Sequence, residues 1–301
     1  MKKFSLGLAL FLLGSIVTAP AQEPPKNPAP PPMQVILLGT GFPRPDPERA
    51  GPATAVVVGE KVFVVDAGRG VVMRLAATEF KLKQVQAVLL THLHSDHTSG
   101  LPDLFTSTWI FGRKQPLELY GPRGTKSVAR ALLEYFKEDI HIRRDLTEMQ
   151  PAEGAKINAH EIREGVVYKD ADVTITAFEV DHRPVEPAFG YRFDSRGKSI
   201  VISGDTRPSE SLIRHAQGVD VLVHEVYLPE YLDKVDTPEV AARLKHYHSS
   251  PEEVGGVAQK AGVKLLVLTH LVPGNEDKAI LERVNKKFSG KVVAGKDLMR
   301  F

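Results

Sequence analysis

The sequence predicts an α/β fold built as one domain from Gln34 to Phe301, and three observations predict it. Short β-branched apolar runs alternate with helical patterns along the whole stretch. No repeat or second linker divides it. Of the 301 residues 42% are hydrophobic and 25% charged, a composition that supports one large buried core and excludes disorder, collagen and coiled coil.

The elements follow in chain order. Lys2 and Lys3, the apolar run Phe4 to Val17 and the small residues of Ala19-Pro20-Ala21 read as a signal peptide over residues 1–21, cut after Ala21. Prolines crowd Gln22 to Met33, forbid helix and withhold donors from a sheet, so residues 22–33 are expected to be a Pro-rich linker. Strands are expected at Gln34–Leu38, Ala55–Val58, Val62–Val65, Ala87–Leu90, Leu117–Tyr120, Val173–Val180, Lys198–Ser203, Val221–His224 and Lys264–Thr269. Helices are expected at Thr125–Lys137, Ser209–Ala216, Pro251–Ala261 and Asp277–Phe288, with Thr125, Ser209 and Ser250 as N-caps and Gly262 as a stop. The early part is richer in strands than a doubly wound sheet would be.

Charge and cysteine content restrict the chemistry. With 39 Lys+Arg against 37 Asp+Glu the chain carries +2, and a cut after Ala21 removes Lys2 and Lys3 and leaves a neutral mature protein. That balance argues against a polyanion-binding surface. The expected location is exported, periplasmic or secreted, with no membrane attachment after cleavage. Cys is absent, which excludes disulfides, thiolate ligands and a Cys nucleophile and leaves His, carboxylates and hydroxyls.

The informative segment is Thr91-His92-Leu93-His94-Ser95-Asp96-His97, where an apolar strand runs into four potential ligands. Alternation places His92 and His94 on one side of an extended chain, and a turn at Ser95 brings Asp96 and His97 to a neighbouring position. That spacing suits two cations better than a solvated His-rich loop, because strand ends are where α/β sheets hold their sites. The same reasoning selects His182, Asp205 and His270, each at the end of a hydrophobic run. His141, His160, His215 and His246 read as solvent-facing. Trp109, Ile110, Phe111 and Phe189 are candidates for an apolar substrate wall, set against a place in the core.

The sequence resembles the metallo-β-lactamase-fold hydrolases, in the branch that holds ribonuclease Z and its exported arylsulfatase-like relatives. The landmarks are Leu38-Gly39-Thr40-Gly41, Val64-Val65-Asp66-Ala67-Gly68, the His92 to His97 string, His182 ahead of Gly190-Tyr191-Arg192, Ser203-Gly204-Asp205-Thr206-Arg207-Pro208, His224-Glu225, His248-Ser249-Ser250 and Leu268-Thr269-His270. The resemblance implies an αβ/βα four-layer sandwich with a dinuclear site on one edge. It assigns His92, His94 and His182 to one divalent metal ion, Asp96, His97 and His270 to a second, and Asp205 to a bridge between them. Zn²⁺ is the expected occupant of this N/O set, with Mn²⁺ and Fe compatible by ligand type. By the same resemblance His248 donates to the developing oxyanion or the leaving group, Glu225 orients it, and Asp66 orients the metal-binding loop.

Only 23 residues separate His182 from Asp205, too few for the tRNA-gripping arm that the shorter ribonuclease Z enzymes insert there. A neutral, exported, armless chain offers no obvious set of phosphate contacts. The expected function is therefore an exported, arylsulfatase-like hydrolase that cleaves a small sulfate or phosphate ester with a metal-bridged hydroxide. The expected partners are a small-molecule ester substrate and a second copy in a homodimer, with nucleic acid not expected. Ribonuclease Z-like or cyclic-nucleotide phosphodiesterase chemistry is the alternative, followed by lactonase or β-lactamase activity and by a binding module without chemistry.

Overall fold

A computed structural model describes residues 33–235 and 237–301. The expected signal peptide and all of the Pro-rich linker except Met33 lie outside the described residues, and Met33 itself opens the first strand. One sheet orders six strands as β1 (Met33–Gly39), β2 (Ala53–Val58), β3 (Lys61–Val65), β4 (Val85–Leu89), β5 (Leu117–Gly121) and β6 (Ile157–Glu161). The other comprises β7 (Gly165–Lys169), β8 (Thr174–Val180), β9 (Ala188–Ser195), β10 (Lys198–Ile202), β11 (Val221–Tyr227), β12 (Leu265–Val272) and β13 (Lys291–Ala294), in reverse chain order across the sheet. Helices α1 (Val71–Ala76), α2 (Ser95–Thr98), α3 (Leu101–Ile110), α4 (Thr125–Tyr135) and α5 (Lys137–His141) come from the first half. Helices α6 (Glu210–His215), α7 (Pro229–Val235), α8 (Pro238–Lys245), α9 (Pro251–Ala261) and α10 (Asp277–Val284) come from the second.

Strand alternation explains the layers. Val35 and Leu37 of β1 enter the core between the sheets with Phe63, Val65, Tyr191, Phe193 and Val223, while Ile36 and Leu38 face the other way. There they meet Val71 and Leu75 of α1 and Leu104, Phe105 and Trp109 of α3. On the second sheet Val201, Leu222, Leu266 and Leu268 pack outward against Leu212 of α6, Val254 and Val257 of α9 and Val284 of α10. Strands covered on both faces must be apolar at every position, which is why these read as continuous hydrophobic runs. Each such side chain contributes roughly 1.5–3 kcal/mol by leaving water. The result is the αβ/βα four-layer sandwich.

Strands β3, β4 and β5 run parallel, as do β10, β11, β12 and β13, so their C-terminal ends open on loops at the sheet edge where a site can form. The chain end protects the free edge of β1: Val35 N donates to Phe301 O and Phe301 N to Val35 O, each at 3.0 Å. Strands β6, β7, β9 and β13 and helices α1, α2, α3, α5, α7 and α8 were not expected from sequence. Strand β9 is masked by Pro187 and Gly190, and β6 has one exposed face and only Ile157 and Ala159, half-buried, on the other, too short a stripe to read. Thr125 is not an N-cap: Gly124 holds that place, and Thr125 Oγ1 donates to Pro122 O at 2.7 Å inside the first turn. Ser209 does cap α6, accepting from Leu212 N at 3.1 Å.

Candidate active site

Five chain segments bring the site together. After β4 the chain bends at Thr91 and runs on without regular structure to His94, which is extended and caps the one-turn helix α2 that carries Asp96 and His97. His182 follows β8, and Asp205 follows β10 through Gly204, whose φ of 63° suits glycine. A Cβ on Gly204 would sit 2.8 Å from Phe189 O and 2.9 Å from Thr91 Cβ, so its absence lets the Asp205 loop close on the β4 segment. His270 lies inside β12 rather than beyond it. Opposite β11, Glu225 pairs with Thr269 and Val226 with Leu271, which leaves His270 as the extra residue of a β-bulge with φ of 45°. The bulge turns the imidazole out of the strand alternation and into the cluster.

The seven positions singled out in sequence lie together in two groups. Donor atoms of His92, His94, His182 and Asp205 lie within 4.8 Å of one another, as do those of Asp96, His97 and His270. Asp205 Oδ2 stands between them, 3.9 Å from His92 Nε2, 3.3 Å from His97 Nε2 and 3.4 Å from His270 Nε2. Asp96 Oδ2 closes the second group at 3.5 Å from His97 Nε2 and 3.4 Å from His270 Nε2.

Surrounding groups set the tautomers. Asp66, at φ 59°, accepts from Thr91 N at 2.8 Å and Thr91 Oγ1 at 2.9 Å, and its Oδ2 accepts from His97 Nδ1 at 2.8 Å. Thr91 Oγ1 in turn lies 3.0 Å from His92 Nδ1, and His182 Nδ1 donates to Tyr247 O at 3.0 Å. Each of these rings therefore commits Nδ1 outward and turns Nε2 inward, where its lone pair is what a cation would take. His97 Nε2 and His182 Nε2 are buried and find no hydrogen-bond partner among the described residues. A buried acceptor left unmade is costly unless a ligand completes it, so this donor set fits divalent cations.

Charge supports the same reading. Against its burial, His97 is held well above the usual imidazole range by Asp205 and Asp66. Against the same burial, Asp205 and Asp96 raise His270 to about 9. The ionised carboxylates thus hold protons on His97 and His270 that an arriving cation would displace. Burial instead pushes His182 down to about 4, which keeps it a neutral ligand.

Beside the cluster, His248 Nδ1 lies 2.9 Å from Glu225 Oε1, which also accepts from Thr206 N at 3.0 Å. Burial pushes His248 down to about 4, while burial and then Asp205 push Glu225 well above the carboxylate range. The pair rests without net charge, and only Nε2 of His248 is left to meet a ligand.

A cavity of about 500 Å³ opens onto His94, Asp205, His248 and His270. Its walls come from Phe42, Pro43 and Arg44 after β1 and from Tyr227, Tyr231, Leu232, Leu244 and Tyr247 around α7 and α8. Trp109 and Phe189, considered for this wall, are fully buried core residues, and Phe111 is 67% exposed away from it. The sequence does carry a start signal for α8, Thr237 capping at Val240 N with Pro238 in the first turn, but nothing in it placed that helix over the cluster. Among the remaining histidines, His141 is exposed, whereas His215 is half-buried and stacked on Phe178 at 4.3 Å.

Known proteins are similar in sequence and in fold. The beta-lactamase superfamily domain matches residues 61–271. A protein of Mycobacterium bovis named Ribonuclease Z is 40% identical over 278 residues, covering 89% of this chain and 97% of its own. Human tRNase Z, short form, superposes with a TM-score of 0.70 at 24% identity over 89% of this chain and 98% of its own. The metallo-beta-lactamase fold protein YhfI of Bacillus subtilis gives 0.68 at 22% identity over 90% and 99%. At those identities the two structures speak for the fold alone.

Proposed function

The chain belongs to the beta-lactamase superfamily, among the ribonuclease Z proteins, and on that premise we propose that it is a metal-dependent phosphodiesterase acting on RNA of the tRNA type. As a member of that family it is a metal-dependent hydrolase of the metallo-β-lactamase fold. The observation that carries the substrate class is 40% identity over nearly the full length of a protein named Ribonuclease Z. The same finding overturns the expected arylsulfatase-like activity on a small-molecule ester substrate, and with it the exclusion of nucleic acid. Two physical reasons explain the error. Net charge is a sum over the surface and says nothing of where cations cluster. The segment from His182 to Asp205 is filled by the plain β9–β10 hairpin, which excludes an arm at that point but not phosphate contacts elsewhere.

His92, His94 and His182 would hold one divalent cation, Asp96, His97 and His270 a second, with Asp205 touching both; Zn²⁺ suits these ligands, and Mn²⁺ and Fe also accept them. Bound there, the ions supply Lewis acidity toward a phosphoryl oxygen and activation of water. The chain's own groups do the rest. Asp66 keeps His97 in register, and the Tyr247 carbonyl does the same for His182. As water adds to phosphorus and the P–O bond to the leaving oxygen breaks, Nε2 of His248 delivers a proton to that oxygen. One product carries a hydroxyl and the other a phosphate. When the phosphodiester anion is bound, the proton shared across the 2.9 Å contact passes from Glu225 to Nδ1 of His248, so that the ring becomes the acid and the ionised Glu225 its counter-charge.

Metal-reconstituted protein is expected to cleave a tRNA-like stem carrying an unpaired 3′ extension, read by the end groups of the fragments. Turnover of a chromogenic sulfate ester without RNA cleavage would reject the reading. We further propose that residues 1–21 direct export. The recovered protein should then have the mass of a chain starting at Gln22, and full-length protein in the cytoplasm would contradict it.

A further inference from the structure

We propose that the aromatic cavity beside the cluster holds one nucleobase, that of the nucleotide departing with the leaving oxygen, with Phe42 and Tyr231 as its stacking wall; this rests on the RNA phosphodiesterase reading. Four observations carry it. The cavity, about 500 Å³, falls in the range that encloses one small ligand, so it admits an unpaired nucleotide and not a stem. Its floor is the reacting end of the site, His94, Asp205 and His248, so whatever occupies it is covalently next to the scissile bond. Its walls are chiefly apolar and aromatic, a poor match to phosphate and a good one to the face of a base. Phe42 and Tyr231 meet edge to face at 6.3 Å and 89°, which joins the loop after β1 to α7 across the rim.

The side of the scissile bond follows from His248. Tyr247 and Tyr227 flank its ring at 4.8 and 6.3 Å, so the group that delivers the proton opens into the same aromatic cavity. The oxygen it protonates therefore belongs to the nucleotide whose base is in the cavity. At the mouth, the exposed Arg44 donates to Tyr231 Oη at 3.3 Å and leaves its remaining donors for the next phosphate. A stacking platform of this kind reads presence of a base more than its identity.

The test uses full-length, metal-loaded protein and one RNA made in three forms: intact, abasic at the leaving-side nucleotide, and abasic at the nucleotide on the other side. Loss of one base–aromatic stack corresponds to about 5- to 150-fold. Wild type is expected to lose kcat/KM by that factor on the leaving-side abasic RNA and to treat the other abasic RNA like the intact one. Phe42→Ala and Tyr231→Ala are expected to lose a similar factor on intact RNA and little on the leaving-side abasic RNA, while Tyr231→Phe keeps the preference. 2-Aminopurine at the leaving-side position should be quenched on binding to wild type and less so to Phe42→Ala. Equal cleavage of intact and leaving-side abasic RNA by wild type overturns the proposal even if Tyr231→Ala fails to fold. Equal losses by the variants on both RNAs also overturn it, since they indicate a structural role. Absence of any RNA cleavage by wild type is a different result and defeats the functional reading beneath it.

Discussion

Asp205→Ala is expected to release metal from both halves of the cluster and to abolish turnover, a larger effect than any single His→Ala change. The reason is positional. Asp205 Oδ2 lies within 3.3–3.9 Å of ring nitrogens of His92, His97 and His270, so one carboxylate serves both groups, whereas each imidazole serves one. Removing it also strips negative charge from a site crowded with imidazoles, and the remaining rings would then repel a second cation more strongly. The loss should exceed the roughly 10–100-fold fall in metal affinity typical when an outer partner of a ligand is removed. Elemental analysis of wild type purified without chelator should give about two ions per chain. Asp205→Ala should give close to none, and His92→Ala and His270→Ala intermediate values. Equal metal loss in Asp205→Ala and either histidine variant would contradict a shared carboxylate. A wild type with no metal and no activity on adding Zn²⁺ or Mn²⁺ would remove the basis of the proposed chemistry. Retention should also weaken in acid, because protons on His97 and His270, both raised above the ordinary imidazole range, compete with the cations.

His248→Ala is expected to keep its metal and lose roughly 10²–10⁴-fold in kcat, the range for a positioned proton donor. His248 lies outside both ligand groups and is tied instead to Glu225 at 2.9 Å, so its removal leaves the donor set intact. The size of the loss should depend on the leaving group. A ribose oxygen needs its proton as it departs, whereas a nitrophenolate leaves without one, so RNA cleavage should suffer far more than hydrolysis of a nitrophenyl phosphodiester. Glu225→Gln keeps a partner at hydrogen-bond distance but removes the charge that steadies a protonated ring, and should show the same leaving-group dependence to a smaller degree. A uniform loss on both substrates would assign His248 to oxyanion stabilisation. Unchanged turnover would leave it a histidine at the start of α9.

Part of this protein was legible in one dimension because its cause is local. Strands β1 to β4 and β10 to β12 are buried on both faces over most of their length, Gln86 and Lys198 near two strand starts being exposed, so the runs and breaks are plain in the sequence. His92, His94, Asp96 and His97 were visible as a cluster because their spacing lies within one turn and the short stretch before it. His182, Asp205 and His270 could be picked out as polar residues following apolar runs. The family followed from the order of such landmarks.

Elsewhere the deciding contacts are distant in sequence. His270 aims at the cluster only because β11 and β12 pair with one residue in excess, a register that no single strand contains. The tautomers of His97, His92 and His182 depend on Asp66, on Thr91 and on a carbonyl at Tyr247, and the last is 65 residues from the ring it orients. Trp109 and Phe189, weighed as wall or core, went to the core, because hydrophobicity marks a residue for burial without saying where the site lies. The actual wall is built from a loop after β1 and two short helices nearly 200 residues later, brought over the cluster by the packing of the sheets. Sequence by itself determined an α/β domain and seven polar residues that converge, since burial and strand-end placement are properties of short segments, and it determined the sandwich and the hydrolytic class through the family resemblance its landmarks carry. Tertiary structure alone decided which nitrogen each histidine presents, what stands beside His248 and what covers the site, since those depend on side chains that meet only when both sheets have closed.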